Sequence, residues 1–322
     1  MIAQVIFLLL FGVAVYFFSK NVGKIRRNIF LGKPEKINDR PGERWRNMAL
    51  MALGQKKLFD RPLAAVFHFF IYAGFILINL EVLEIFVDGA LGTHMVFERY
   101  LGDFYFFLIG FFEILAFAVL GGCVVFLFRR YVARVPRLVH SDLQGFPVKD
   151  ATLILVVEIV LMGAVLLMNI SDTELQQSAV MPISGLFAPF FSPIGDTTLH
   201  FIERAAWWGH LVGILLFLNY LPFSKHFHII IAFPNTWYAN LDAKGKFENM
   251  VSVQQEVKLM MDPSAQPPDG YEPPTSFGVR DVYDLKWKNL MDAYSCTECG
   301  RCTSVCPANS TGKLLSPRRV MM

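Results

Sequence analysis

Four of the five cysteines lie within eleven residues near the end of the sequence, as Cys296-Thr-Glu-Cys299-Gly-Arg-Cys302-Thr-Ser-Val-Cys306-Pro307. Thiolates in a C-x2-C-x2-C-x3-C-P run bind a [4Fe–4S] cluster. The two-residue gaps let a tightly curled loop present three thiolates to three corners of one cubane. Pro307 has no N–H and turns the chain away after the last ligand. Two other chemistries use paired cysteines. Structural zinc takes two C-x2-C pairs well apart, and disulfides need an oxidising compartment. Neither fits this run, so Cys296, Cys299, Cys302 and Cys306 are expected as cluster ligands. In two-cluster ferredoxins the fourth cysteine serves the other cluster. A second run would then be expected, and sixteen residues follow Cys306. Either Cys306 closes one cluster, or the cluster lacks a ligand and the arm is incomplete.

Three of the seven histidines fall in or beside apolar stretches: His68, His210 and His228. His210 and His228 are eighteen residues apart, about five turns at 3.6 residues per turn, so an unbroken helix would put them on one face. Pro222 lies between them and is the point where such a helix would bend. His226 would point about 160° away on the same helix. Two neutral imidazoles on facing helices are the axial pair of a b-type haem, and His68 and His228 stand at similar depth. Gly74, Gly209 and Gly213 on these helices are expected to leave room for the flat macrocycle. The alternative is structural: a membrane histidine is often a polar group satisfied by a neighbouring helix. His226 and His228 beside Lys225 would then be an interfacial rim.

These residues must be positioned by a membrane bundle. The chain has 322 residues, is 54 % hydrophobic with thirty-one Phe, and has a mean hydropathy of +0.42. That is too apolar for an ordinary soluble protein. Five stretches are long enough to span a bilayer: 2–19, 62–86, 104–128, 151–170 and 201–221. The first lacks the positive start and small-x-small cleavage site of a signal peptide, so it reads as an anchor. Loop 20–61 holds twelve Lys/Arg against four Asp/Glu, and 129–149 holds five Lys/Arg. Loop 87–100 holds only Arg99, and 171–200 holds none. Basic loops stay in the cytoplasm. The N-terminus is therefore expected outside, and the cysteine arm in the cytoplasm of a bacterial cell, anchored to its inner membrane. Net charge is only +3, and the basic loops follow from topology, so no nucleic-acid partner is implied. Segment 233–261 is expected as an amphipathic helix near the membrane. Segment 262–275 carries five prolines in fourteen residues, a stiff extended linker.

The stretch from His210 through Pro222-Phe-Ser-Lys225 to His228 resembles the last helix of the nitrate reductase gamma subunit family. The five-span layout, the loop 129–150 and Val66-Phe67-His68 at the start of the second span match as well. In that family the helices hold two b-haems in a four-histidine set and pass electrons between quinol and a cytoplasmic iron–sulfur partner. The resemblance implies that His68 and His228 ligate the cytoplasm-side haem and that His210 is one ligand of the outer haem. The family's fourth histidine lies ten residues after the first, where this chain has Ile78. One haem is expected, and a second only if His94 or His200 supplies the missing ligand. The arm 285–317 resembles the entry to the iron–sulfur subunit of membrane-bound heterodisulfide reductase. The matching words are Trp287-Lys288, Asp292-Ala293-Tyr294-Ser295, and Cys-Pro-Ala-Asn followed by Gly312-Lys313.

Carboxylates inside apolar spans face the bundle interior or a water path. For Glu81 and Glu84, near Asn79 in the outer half of the second span, proton transfer at a quinone site and a merely interfacial position stand level. Glu113 and Glu158 are expected to hydrogen-bond a neighbouring helix. Arg99 and Arg204 are expected to face outward, and Cys123 is a small buried side chain.

The expected fold is mainly α: a five-transmembrane-helix bundle over 1–232, a membrane-proximal segment and linker over 233–275, and a small cytoplasmic ferredoxin-like arm over 276–322. The expected function is electron transfer between the quinone pool and a cytoplasmic redox protein or flavoprotein subunit, as the electron-carrying part of an iron–sulfur oxidoreductase. A [4Fe–4S] cluster and b-type haem would carry the electrons. The alternative is a haem-free membrane anchor that tethers an iron–sulfur carrier.

Overall fold

A computed structural model describes residues 1–243, 245–246, 249–273 and 277–322. The last two residues of the expected linker and the expected start of the arm at 276 lie outside the described residues. The chain is mostly helical, with no strand among the described residues. Five helices are long and apolar enough to cross a membrane. They are α1 (Ile2–Ile29), α3 (Pro62–Leu91), α5 (Asp103–Tyr131), α6 (Phe146–Ser171) and α9 (Asp196–Tyr220). All five run past the expected apolar limits at one or both ends. In α1 the extra turns to Ile29 are amphipathic and bury Ile25 and Ile29.

Burial is inverted relative to a soluble protein. Leu80, Phe107, Val160 and Leu216 are each more than half exposed on the outer surface, whereas Glu81, Glu113, Glu158, Glu203 and His210 are buried. A bilayer explains this, because lipid solvates the apolar surface and polar groups turn inward. The bundle centres on α5 and α6, with α3 against α5 and α9 against α6. Phe112, Ala116, Val119 and Leu161 fill this core. α1 lies across α3 and α9, with Phe7 and Phe11 against Phe86 and Trp207.

The short helices sit at the two ends. At one end lie α2 (Pro41–Met48), α10 (His228–Trp237), α12 (Trp287–Tyr294), α13 (Arg301–Ser304), α14 (Pro307–Ser310) and α15 (Pro317–Met321), with the basic segment 129–145. At the other lie α4 (Glu98–Leu101), α7 (Thr173–Ser178) and α8 (Ser184–Phe191). Glu113 anchors that far segment by accepting from the backbone N–H groups of Ile183 (2.9 Å) and Ser184 (3.1 Å) and from Asn169 of α6 (3.3 Å). Its partners are therefore partly the segment entering α8.

The expected amphipathic helix over 233–261 is two helices, α10 and α11 (Val251–Met261). The first is held to α2 by Arg44, whose guanidinium donates to the carbonyls of Trp237 (3.0 Å) and Ala239 (2.9 Å) and pairs with Asp39 (2.6 Å). Arg44 is only 3 % exposed, so α10 is tied by backbone contacts that no amphipathic pattern records.

Candidate redox site at the basic end

The cysteine loop is docked onto the bundle. Trp287 at the start of α12 packs with Met291 against Ile25, Ile29, Leu221, Phe227 and Ile231. Its indole N–H donates to the Glu35 carbonyl (2.9 Å). A parallel bridge joins Lys33 to Lys286, through Lys33 N–H to the Leu285 carbonyl (2.7 Å) and Trp287 N–H to the Lys33 carbonyl (3.1 Å). Asn28 donates to the Tyr294 hydroxyl (3.0 Å), and Asn235 to the Ser295 hydroxyl (2.6 Å).

The loop then turns sharply. Glu298 and Gly300 both have positive φ, 49° and 72°. A Cβ at position 300 would collide with the Arg137 carbonyl, so only glycine fits both the conformation and the approach. Arg137 donates to the Cys299 carbonyl (2.6 Å). All four loop cysteines are free thiols. The Glu298 N–H points at Cys296 Sγ (3.4 Å), and Arg301 Nε at Cys299 Sγ (3.2 Å). Burial pushes the Cys296 thiol up. Burial also opposes ionisation of Cys299, but the hydrogen bonds from Arg301 outweigh it and lower that thiol.

Among the described residues, no three His, Cys, Asp or Glu side chains are gathered to hold a single metal ion. A cubane places each thiolate on a different iron, so its ligands stand farther apart than those of one ion. The donor set itself, four unpaired thiols with N–H donors aimed at sulfur, suits a [4Fe–4S] cluster.

Two carboxylates tie this loop to the histidine turn. Asp150, 1 % exposed at the start of α6, accepts from the Tyr220 hydroxyl (2.6 Å), the Ser224 hydroxyl (2.7 Å) and the Lys225 N–H (3.0 Å). Lys225 Nζ donates to Glu298 (2.8 Å), and Arg318 of α15 donates to the other Glu298 oxygen (2.8 Å). Asp142 accepts from Thr303 (3.1 Å) and Ser316 (2.6 Å), holding α13 and α15 together. Burial works against the Asp142 charge, but hydrogen bonds from Ser316, His140 and Thr303 hold its carboxyl below the usual range.

The helix does not continue from His210 to His228; it breaks around Pro222, the point where the sequence placed the bend. α9 ends at Tyr220, and two 3-10 turns follow, Leu221–Phe223 and Lys225–Phe227, separated by extended Ser224. Pro222 and the Ser224–Asp150 bond account for the break. His226 therefore does not point 160° away from His228; the two rings meet edge to face at 5.7 Å. Burial first, then the charge of His228, drive the His226 imidazole down to about 3, with His68 adding in the same sense and Asp150 opposing. Burial lowers His228 as well. Burial thus favours the neutral form of both rings. His226 also packs against Phe75 of α3, two turns on from His68, with 6.3 Å between the rings.

His68, His210 and His228 share one arrangement. Each Nδ1 is tied to an oxygen acceptor: Gln55 Oε1 for His68 (3.0 Å), the Leu161 carbonyl for His210 (3.0 Å) and the Lys225 carbonyl for His228 (2.9 Å). Nδ1 then carries the proton and Nε2 the lone pair, the orientation that prepares a metal ligand. The chemistry of His68 and His228, with Nδ1 anchored and the lone pair on Nε2, suits imidazole ligation of an iron, and His226 Nε2 is buried without a partner among the described residues.

His210 stands apart, in a cleft walled by α3, α5, α6 and α9, where Ile78 is also a lining residue and no second histidine is. A bis-histidine haem does not fit there. His94 and His200, the expected substitutes, go elsewhere. His94 Nε2 pairs with Asp172 (3.4 Å), and His200 faces Glu203 (3.8 Å). Glu81, Glu84, Asp88, His94 and Arg204 line a separate cavity near the far end. Glu203 turns the Arg204 guanidinium onto itself. Gly74 and Gly213 do not hold macrocycle space either, since their Cβ positions are taken by Val119 and Leu161, whereas Gly209 faces open space. Sequence reasoning missed Lys225, Glu298 and Asp150 as a unit, because they are 73 and 75 residues apart and no spacing rule joins them.

Residues 287–308 match the 4Fe-4S binding domain family. The chain is 32 % identical over 321 residues to "Probable iron-sulfur-binding oxidoreductase FadF" of Bacillus subtilis (strain 168), covering 98 % of this chain and 42 % of that protein. It is 27 % identical over 292 residues to "EtfAB:quinone oxidoreductase" of Syntrophomonas wolfei, covering 87 % of this chain and 37 % of that protein. A 44-residue stretch is 39 % identical to "Probable membrane-anchored ferredoxin" of Chromohalobacter salexigens, covering 14 % of this chain and 7 % of that protein. The chain spans about two fifths of the length of the first two relatives. No solved structure matches it. The C-terminal arm thus carries a 4Fe-4S binding domain, in a chain with five helices long and apolar enough to cross a membrane and with relatives that include a probable iron–sulfur-binding oxidoreductase.

Proposed function

We propose that the chain conducts electrons between a membrane quinone and a soluble redox protein on its basic side. Cys296, Cys299, Cys302 and Cys306 would hold a [4Fe–4S] cluster, and His68 and His228 a b-type haem. Each of these groups supplies one-electron transfer when bound. The observation that carries the reading is the docking of the cysteine loop directly on the histidine turn, through Lys225 to Glu298. The protein's own residues do the positioning. Trp287 seats the arm, Arg137 and Gly300 fix the loop, and Asp150 holds the turn that presents His228.

The basic loops and the arm share one end, which charge asymmetry assigns to the cytoplasm of a bacterial cell. The redox partner there is of the class named for the Syntrophomonas relative, EtfAB, and the name of that relative also motivates the quinone.

The similarity to a membrane-anchored ferredoxin favours one other reading, a haem-free anchor carrying the iron–sulfur arm. A visible spectrum of the purified, reduced protein separates the two. A sharp α-band with two-histidine low-spin character supports electron conduction through the bundle. Broad sulfur-to-iron absorption alone leaves the anchor.

A further inference from the structure

We propose that the cleft at His210 is a quinol headgroup site, in which His210 Nε2 accepts a hydrogen bond from a quinol hydroxyl. This rests on the quinone partner proposed above and gives it a place. The cleft encloses a cavity of about 80 Å³, which is open along one side. Ile71, Ile78, Val119 and Ile214 make an apolar wall, and His210, Glu158 and Asn79 are the polar groups in it. An apolar lining with a few placed polar groups is the composition of a small-molecule site.

His210 is 1 % exposed, and its Nε2 has no partner among the described residues. The Leu161 carbonyl can only accept, so Nδ1 carries the proton and the neutral ring keeps its lone pair on Nε2. A buried acceptor without a donor is rare and asks for a ligand that donates. An iron could use the same lone pair, but a bis-histidine haem needs a second imidazole across the cleft. The chain offers Ile78. A quinol hydroxyl needs only the acceptor. Phe75 and Asn79 line the cleft and are also exposed on the surface of α3, so an isoprenoid tail has a route to lipid.

The probe is 2-heptyl-4-hydroxyquinoline N-oxide, a quinol analogue whose fluorescence is quenched on binding, titrated into the full chain in detergent. One site per chain is expected. His210→Leu is expected to weaken binding at least tenfold, with haem content and the iron–sulfur resonance unchanged. An azidoquinone photolabel on the wild-type chain is expected to mark α3 between 71 and 82 or α9 near His210, which decides the matter even if the variant does not fold. The proposal is overturned by absent binding in the wild type, by unchanged binding in His210→Leu, by labelling confined to another region, or by loss of haem from His210→Leu, which would make His210 an iron ligand. A wild-type chain that binds the analogue but holds no haem keeps this site and removes the haem. One that holds haem but fails to bind the analogue does the reverse.

Discussion

Lys225 Nζ lies 2.8 Å from Glu298 Oε2, joining the turn that carries His226 and His228 to the loop between Cys296 and Cys299. The two side chains are 11 % and 8 % exposed, and Arg318 closes the other side of Glu298 at 2.8 Å. The pair is buried, so its geometry holds the two candidate redox groups in register. Removing one partner of a buried pair costs about 3–5 kcal/mol when the other charge is left uncompensated; here Arg318 still pairs with Glu298, so the cost of losing Lys225 is smaller and falls on the tie to the histidine turn. Lys225→Met is therefore expected to speed amide hydrogen exchange over 296–306 while α5 and α6 stay protected. Equal protection of the loop in the variant and the wild type would show that the pair does not hold it.

Cys299→Ser should abolish the iron–sulfur signal of the reduced protein in electron paramagnetic resonance. Cys299 is the partly buried thiol toward which Arg301 Nε points (3.2 Å), so the loop loses the thiolate that a cationic donor favours. An unaltered resonance would remove the ligand assignment.

His68→Ala and His228→Ala are each expected to remove the same haem, read as pyridine haemochrome per chain. Their Nδ1 atoms are anchored at 3.0 and 2.9 Å and their Nε2 lone pairs are free to ligate. His226→Ala should keep the haem, because no such anchor fixes its ring. Haem retained in His228→Ala but lost in His226→Ala would move the ligand two residues along the turn.

A reporter fused after Met322 is expected to read as cytoplasmic, and one inserted at Ser178 as external. The cysteine arm and the basic segment 129–145 meet through Arg137 and Cys299, so both must lie on one side of the membrane. The reverse pattern would overturn the charge argument for orientation.

Acid should release the arm through Asp142. The native carboxyl is held below its ordinary value, so the unfolded chain binds its proton more readily. The stabilisation is complete above the ordinary carboxylate range near 4 and is lost as pH falls through the lower native value. Asp142→Asn is expected to loosen α13 and α15 already at pH 7 and to flatten the dependence of their protease resistance between pH 5 and 3. An equally steep profile in the variant would assign the acid sensitivity to another group.

The cysteine run, the five apolar spans and the contrast between Lys/Arg-rich and Lys/Arg-poor loops were all legible in the sequence. Each is a local pattern. Ligand spacing, span length and loop charge are set by neighbours in the chain, so they survive without coordinates. The Nδ1 anchors were not legible, since His210 finds its acceptor 49 residues away on α6. The bend near Pro222 was legible, but not the form of the turn, in which Asp150 reaches across from α6 to Ser224 and His226 comes beside His228. The capture of His94 by Asp172, the seat of Trp287 under α1 and the Lys225–Glu298 pair belong to the same class. All join residues far apart in the chain, and their register follows from how helices pack rather than from any periodicity along one of them. Residue types and their order therefore decided which chemistry the chain can hold, and tertiary packing decided which of those groups stand within reach of one another.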